Sequence, residues 1–431
     1  MAFTRSRPRN GGWLTLVLAG LAGGPLPAQA PGQTLAQLAH RAWTAEDGAP
    51  GMIGSLAQTT DGFLWLATTT GLFRFDGVRF ERYEPPAGQA LPANGVSTLL
   101  ALPDGPLWIG YGLGGVSVLA GGRLVSYGEG DGLPAGTVTA FARDSAGTMW
   151  AATTRGLARL VGDRWQPAGL ADGYPGGFTT ELTVDRRGTL WAVATAGVYA
   201  RPRGALRFER RAPPLAIGEA DAGGGSVHEA PDGTMWAVSM SAGLRPLTDS
   251  AGRPVPPVAY YTRDRGGYGP AWTALFIDRA AHAWGVGTRD RLVRVPLPSA
   301  GGPTASGAPF DTLALSLASG SSGRWAYSVL EDREGTVWIG TDGGLDHLRA
   351  PKFRSVPWPP SGNRAVIAAG ENGAVWMGSP ADPLTSLGDR LVPHPEVPPG
   401  ISAMHRDVAG DVWVGGERGA WYGRAGRFAP V

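Results

Sequence analysis

Residues 53–83 read IGSLAQTTDGFLWLATTTGLFRFDGVRFERY, and their punctuation decides the fold. Ile53 to Gln58 reads as a strand ending at an Asp61-Gly62 turn, and Phe63 to Thr68 as a second strand closed by Gly71. Leu72 to Phe75 reads as a third, ending at Asp76-Gly77, and Val78 to Tyr83 as a fourth. Asp-Gly at a hairpin supplies the positive φ that such turns need, because glycine has no Cβ to clash. No stretch beyond the N-terminus shows sustained helical periodicity.

The stretch recurs. Its signature is an Asp, a short polar gap usually holding Gly, and a Trp followed by small or β-branched residues. It returns at Asp104 to Trp108, Asp144 to Trp150 and Asp185 to Trp191, then around Trp236, Trp284, Trp338, Trp376 and Trp413. Successive Trp, starting from Trp65, are 43, 42, 41, 45, 48, 54, 38 and 37 residues apart. A period of about 42 residues holds four strands of about five residues and their turns. One such meander cannot bury both faces, so the nine units must stack, and a ring both covers the faces and limits exposed edges. The expected fold is all-β: a β-propeller of four-stranded antiparallel blades. The recurring Trp, on each second strand, is core, and its burial contributes about 4 to 6 kcal/mol gross.

Trp43-Thr44-Ala45-Glu46-Asp47-Gly48-Ala49-Pro50 matches Tyr127-Gly128-Glu129-Gly130-Asp131-Gly132-Leu133-Pro134, which ends a fourth strand. Arg41 to Thr44 therefore reads as an orphan fourth strand that completes the last blade of a ring. The seventh copy ends near Arg349, and Ser355-Val356-Pro357-Trp358-Pro359-Pro360 follows. The expected division is a seven-bladed propeller over residues 31–350 and two blades of an incomplete second propeller over 351–431, with one larger ring as the alternative.

Composition excludes several function classes. The chain has 431 residues, 68 Gly, 37 Pro, no Cys and a net charge of +2. Without cysteine there are no disulfides, thiolate metal sites or Cys nucleophiles. Apart from Lys352 the basic residues are scattered Arg, so no nucleic-acid footprint is expected. Arg5, Arg7 and Arg9 precede an apolar run from Trp13 to Ala22 and a small-residue site at Ala28-Gln29-Ala30. That order is a secretory signal peptide over residues 1–30, cut after Ala28 or Ala30, and the run is too short to span a bilayer. No later segment is long and apolar enough to cross, and a periplasmic or secreted location follows. His40, His228, His282, His347, His394 and His405 stand at no metal-ligand spacing. No metal, cofactor or catalytic residue is expected. The Asp of each repeat has a turn role that suffices without calcium.

Trp43 to Pro50, then Ala57 to Thr68, then Gly71-Leu72-Phe73-Arg74-Phe75-Asp76-Gly77 resemble the two-component regulator propeller family over about residues 40 to 431. The resemblance implies the extracytoplasmic sensor region of a bacterial membrane receptor. In that family a small β-sandwich domain, a membrane span and a histidine kinase or diguanylate cyclase usually follow, and many members carry two seven-bladed propellers. Here no sandwich, second span, kinase or cyclase motif is found, and Arg427-Phe428-Ala429-Pro430-Val431 falls where a fourth strand should be forming. The expectation is a sensing portion without its own output domain, either a truncated receptor or a complete sensor.

In an up-and-down blade the second and fourth connections share one end. They are expected to vary in length, and variable loops usually carry function. Copy by copy they present Tyr111, Arg155, Tyr174, Tyr268, Trp272, Arg289 and Trp325. Aromatic and Arg side chains suit a small polar ligand such as a carbohydrate, and ordinary surface or edge packing is the competing reading for each. A protein partner could use the same end. The rhythm is also similar to streptogramin-lyase propellers, so a lyase-like enzyme or an interaction scaffold stands as the alternative to a non-enzymatic sensor.

Overall fold

In a computed structural model of the chain, the residues described are 34–215, 225–239, 243–256, 275–287, 291–297, 311–315, 319–351, 365–370, 374–388, 391–424 and 426–431. They form nine antiparallel sheets, one for each repeat. Sheet 1 is a meander of Ile53–Gln58, Leu64–Thr68, Gly71–Phe75 and Phe80–Arg82. Sheets 2, 3 and 4 repeat it over residues 96–127, 138–167 and 179–212, and sheet 6 over 275–314. Sheet 5, residues 226–246, shows three strands among the described residues. The chain divides into two compact units, one ending at Pro351 and the other running to Val431. The second unit holds sheets 8 and 9, both four-stranded, and the last strand is Arg427–Pro430. The signal peptide expected over residues 1–30 lies outside the described residues.

Why each repeat folds this way is clearest in sheet 3. Val138–Arg143 ends at Asp144, and Met149–Thr153 carries Trp150. Asp144 Oδ1 accepts the backbone N–H groups of Ala146 (3.0 Å) and Thr148 (2.9 Å), closing the turn. Oδ2 accepts the Trp150 indole N–H at 2.9 Å. Asp185, Asp278, Asp332 and Asp407 hold Trp191, Trp284, Trp338 and Trp413 the same way, at 2.9, 2.7, 2.7 and 3.0 Å. This pairing needs a spacing of six residues. Asp61 and Asp104, four residues before their Trp, therefore do not bind the indole. Thr59 Oγ1 substitutes in sheet 1, accepting from Trp65 at 3.0 Å. In sheet 2 the position is Leu102, and Trp108 Nε1 is buried with no hydrogen-bond partner.

Each Trp but the last packs on the sheet that follows; Trp413, in sheet 9, is 40% exposed, so the expected core role fails there. Trp150 joins a core with Tyr174, Leu182, Tyr199 and Phe208 of the fourth repeat. Trp65 packs with Leu99 and Ile109 of sheet 2, and Trp284 with Val337 and Ile339 of the seventh repeat. Trp338 of the seventh repeat packs with Ile53, Leu66 and Phe75 of sheet 1.

Sheet 7 contains Ala326–Glu331, Val337–Thr341 and Gly344–Arg349, and its fourth strand is Ala39–Thr44 from the N-terminus. Trp43 pairs with Leu345, and its ring lies 5.1 Å from Phe75 and 5.7 Å from Trp338. His40 Nε2 lies 2.6 Å from the fully buried Asp346 carboxylate, which also accepts the Ser322 N–H. A Cβ on Gly344 would sit 2.0 Å from Trp43 O, so only glycine admits the incoming strand. His347, wedged against Trp43 and Trp338, has its pKa pressed down to about 4, chiefly by burial.

The inner strands are joined by hydroxyls that serve the neighbouring backbone. Ser97 Oγ donates to Val138 O (2.7 Å), Thr139 Oγ1 to Thr179 O (2.6 Å) and Ser328 Oγ to Ile53 O (2.9 Å). At the far end of these strands the residue after the turn Asp staples the next sheet. The Arg186 N–H donates to Glu229 (2.8 Å), that of Arg279 to Glu331 (3.0 Å) and that of Arg333 to Gln58 (3.0 Å). The last of each kind joins sheet 7 to sheet 1.

Trp150→Ala should cost about 3 to 5 kcal/mol, the range for losing a buried aromatic, and Asp144→Ala about 1 to 3 kcal/mol from the orphaned indole N–H and turn amides. The double variant should cost less than the sum, because both changes break one bond. Additive costs in urea melts would show that the pair does not act together.

One half-buried pair sets a pH dependence. His228 Nε2 of sheet 5 lies 3.4 Å from Glu181 Oε1 of sheet 4, and Glu181 also accepts the Val227 N–H. Burial raises Glu181 from 4.5 to about 8 and lowers His228 from 6.5 to about 4. The folded pair thus holds one proton where the unfolded chain also holds one, between pH 4.5 and 6.5. Above 6.5 the unfolded pair holds none while the folded pair keeps one until about 8, so stability falls as pH rises through that window. Melting temperature should level near pH 5 to 6 and drop towards pH 8, and Glu181→Gln should flatten the drop. An unchanged alkaline limb in that variant would assign the dependence to another group.

Candidate functional site

The second and fourth connections do lie at one end of each blade, but the variability is unequal. The second connection is a two-residue turn in sheets 1, 3, 4, 7 and 9. In sheets 1, 3 and 7 the Thr ending the preceding strand favours this turn. Thr68 Oγ1 accepts the Thr70 and Gly71 N–H groups, and Thr341 Oγ1 those of Gly343 and Gly344. The second connection is longer in sheets 2 and 8, and the fourth connection is longer again. There, short 3₁₀ turns at Ala45–Asp47, Glu129–Asp131 and Leu170–Asp172 are fixed by their Asp side chains and by left-handed Gly48, Gly132 and Gly173.

This scaffold sorts the expected ligand residues. Tyr111 is fully buried, its hydroxyl donating to Ser117 Oγ at 2.9 Å, and burial raises its pKa to about 12. Tyr174 is also fully buried, with its hydroxyl 2.5 Å from Thr179 Oγ1 and its pKa raised to about 12 by burial. Neither side chain is open to a ligand. The repeat itself holds the signal: Tyr174 follows Asp-Gly and precedes Pro, where Ala49 and Leu133 are buried too. Tyr111 ends a second strand, where Thr68 and Thr153 are buried. Arg155 is exposed on the second connection of sheet 3, its N–H donating to Thr153 Oγ1 at 3.1 Å. Trp325 is 50% exposed at the entry to sheet 7. Tyr268, Trp272 and Arg289 lie outside the described residues.

Trp325 gathers neighbours that sequence reasoning missed. Asp342 Oδ1 accepts the N–H groups of Arg324 and Trp325, both at 2.8 Å, while the Asp342 N–H donates to Trp325 O. Asp342 O in turn accepts the Met52 N–H at 3.1 Å. Met52 is 43% exposed at φ 55°, an uncommon conformation for a side chain of its size. Tyr327, 43% exposed, stands on the bulge that opens the inner strand of sheet 7. One turn of sheet 7 thus anchors an exposed Trp, an Arg and a strained Met, with a Tyr two residues on. Aromatic faces beside a guanidinium can stack on a ring and hydrogen-bond its substituents. The signal for Met52 was its place between the closing Gly51 and the first inner strand; its φ was not legible.

Histidines in the first unit are tied inward. His40 faces Asp346, His228 faces Glu181, His282 lies 3.4 Å from Asp278 Oδ2, and His347 packs between tryptophans. Hydrogen bonds from His282 and Trp284 hold the Asp278 carboxyl below its usual range although burial opposes this more than any single bond favours it. No group of three or more His, Asp or Glu suited to a metal occurs among the described residues, and no described helix is long and apolar enough to cross a membrane.

Residues 132–155 and 320–343 match the family model described as "Two component regulator propeller". Each match runs from a fourth-connection glycine, through the first two strands, to the second connection. No curated protein matches the chain in sequence. Among solved structures, the extracellular domain of a protein assigned as a hybrid two-component system in B. thetaiotaomicron is similar at 16% identity and a TM-score of 0.56. The match covers 91% of this chain and 54% of that one, so the chain spans about half its length. Virginiamycin B lyase from Staphylococcus aureus is similar at 13% identity and a TM-score of 0.54, over 72% of this chain and 98% of the lyase. At such identities the likeness is one of fold. Two of the nine repeats thus match the two-component regulator propeller model, and both lie in four-stranded, blade-shaped sheets.

Proposed function

We propose that residues 31–350 form a closed seven-bladed propeller and act as the extracytoplasmic ligand-sensing module of a bacterial two-component receptor, with residues 351–431 supplying two blades of a second propeller. Closure is supported by the N-terminal strand in sheet 7, by Trp338 packing on sheet 1 and by the Arg333–Gln58 staple. The ring binds and does no chemistry of its own. Export by a cleaved signal peptide over residues 1–30 places it in the periplasm or outside the cell.

The observation that carries the sensing reading is the exposed cluster of Met52, Arg324, Trp325 and Tyr327 around Asp342. Half-exposed aromatics on strained, hydrogen-bonded backbone are suited to grip a ligand and costly to keep otherwise. Its chemistry fits a small polar ring compound, a carbohydrate foremost. Arg155 offers a second contact at the same end of sheet 3. The lyase-like reading has a fold likeness behind it, but the inward-facing histidines of this unit favour binding.

A thermal-shift screen of the exported protein against oligosaccharides, peptides and streptogramins tests this. A ligand at about 100 times its Kd should add about 2.7 kcal/mol of stability. Trp325→Ala should weaken binding by about tenfold or more, as expected for a stacking contact, and leave the ligand-free melt almost unchanged. Ligand shifts that survive Trp325→Ala and Tyr327→Ala together would place the site elsewhere, and turnover of a bound compound would replace the sensor by an enzyme.

A further inference from the structure

Sheets 8 and 9 line a separate, partly open cavity of about 220 Å³. Its apolar walls include Trp376, Val392, Val412 and Phe428, and two polar side chains, Ser386 and His394, open into it. Ser386 lies on the strand Thr385–Leu387, and His394 follows the neighbouring strand Leu391–Pro393. The cross-strand register sets Ser386 opposite Val392. The His394 backbone is held on both sides: its N–H donates to Leu384 O at 2.8 Å, and its C=O accepts from Val397 at 3.1 Å. Its ring packs edge-on against Trp376 at 4.7 Å and lies 5.9 Å from Phe428.

Both ring nitrogens are engaged. Nδ1 lies 3.2 Å from Glu396 Oε1, and Nε2 lies 2.9 Å from Ser386 Oγ. A carboxylate accepts only, so the proton sits on Nδ1 and the Nε2 lone pair faces the Ser386 hydroxyl. A hydroxyl hydrogen-bonded to a histidine, itself oriented by a carboxylate, is the arrangement that activates a serine nucleophile, recognised by geometry and not by sequence order. A turn anchored at two backbone bonds and a ring wedged by two aromatics keep that geometry in place.

We propose that Ser386, His394 and Glu396 form an acyl-transfer relay that hydrolyses small esters, with the acyl group in the apolar cavity. An engineered apolar cavity of about 150 Å³ admits benzene, so this one fits a short aliphatic or single-ring acyl group. Ser386 Oγ attacks the ester carbonyl carbon while its proton passes to His394 Nε2. The C–O bond to the alcohol then breaks, and His394 returns the proton to the departing oxygen. Water attacks the acyl-serine, losing a proton to His394; the Oγ–acyl bond breaks, the acid leaves, and Oγ regains the proton. Glu396 orients the His394 imidazole and is a positioning residue. This activity lies outside the sensing reading and belongs to the other compact unit, so either can fail alone.

The test treats the full chain with a fluorophosphonate serine probe and with p-nitrophenyl butyrate. One phosphonate adduct on Ser386, mapped by tandem mass spectrometry, and ester turnover that falls about 100-fold or more in Ser386→Ala and His394→Gln are expected. Glu396→Gln should lower kcat by about tenfold or more with KM unchanged, since Glu396 acts through the imidazole and not on the acyl group. An unlabelled Ser386 in the wild-type chain overturns the proposal whether or not any variant folds. Ester turnover that persists in a folded Ser386→Ala chain overturns it equally.

Discussion

A single carboxylate with two tasks organises this structure. At the end of an inner strand, one oxygen of Asp144 closes the turn and the other takes the indole N–H of Trp150. The turn sets where the second strand begins, and the indole sets which way that strand faces. Leaving that N–H unpaired in the core would cost about 1 to 3 kcal/mol, so the spacing of six between Asp and Trp couples turn and packing. Arg201 from sheet 4 adds a contact to the same carboxylate at 3.1 Å, drawing the next sheet into the unit. Trp108, whose indole N–H is buried and unpartnered, shows that packing area can carry a blade after the bond is lost.

Stacking propagates from that unit. Every repeated Trp except the exposed Trp413 packs on the following sheet, the hydroxyls of inner strands serve the neighbour's carbonyls, and Arg residues staple the turn ends. The same three devices recur between sheets 7 and 1, hundreds of residues apart in sequence. The candidate ligand site sits at this junction. Met52 follows the strand that completes sheet 7, and Asp342 holds Met52 and Trp325 with its backbone and side chain. Completing the blade and building the site therefore draw on the same residues.

Much of this was legible in the sequence. Asp-Gly pairs and the Trp period located all nine sheets, and Trp43-Thr44 betrayed the displaced strand because its flank copies the end of a fourth strand. The strand proved longer, Ala39–Thr44, since His40 is drawn in by Asp346. What failed to show were properties set by partners. Asp61 looked equivalent to Asp144 until the indole geometry separated them. Tyr111 and Tyr174 looked like ligand residues because a loop position conceals how far a side chain turns inward. Arg155 and Trp325 stayed exposed, but the company of Trp325 depends on a turn that brings distant segments together. The pairing of Ser386 with His394 depends on strand register, which no spacing reveals.

Because the chain has no cysteine, one measurement addresses the closing strand without background. Ala39 and Arg349 are register partners across sheet 7. The double variant Ala39→Cys/Arg349→Cys, oxidised mildly at low protein concentration, should give an intramolecular disulfide in nearly every molecule, seen as a faster band on a non-reducing gel and a mass loss of two hydrogen atoms. Free thiols, or cross-links only between molecules, would contradict the pairing and with it the shared origin of sheet 7 and the candidate site.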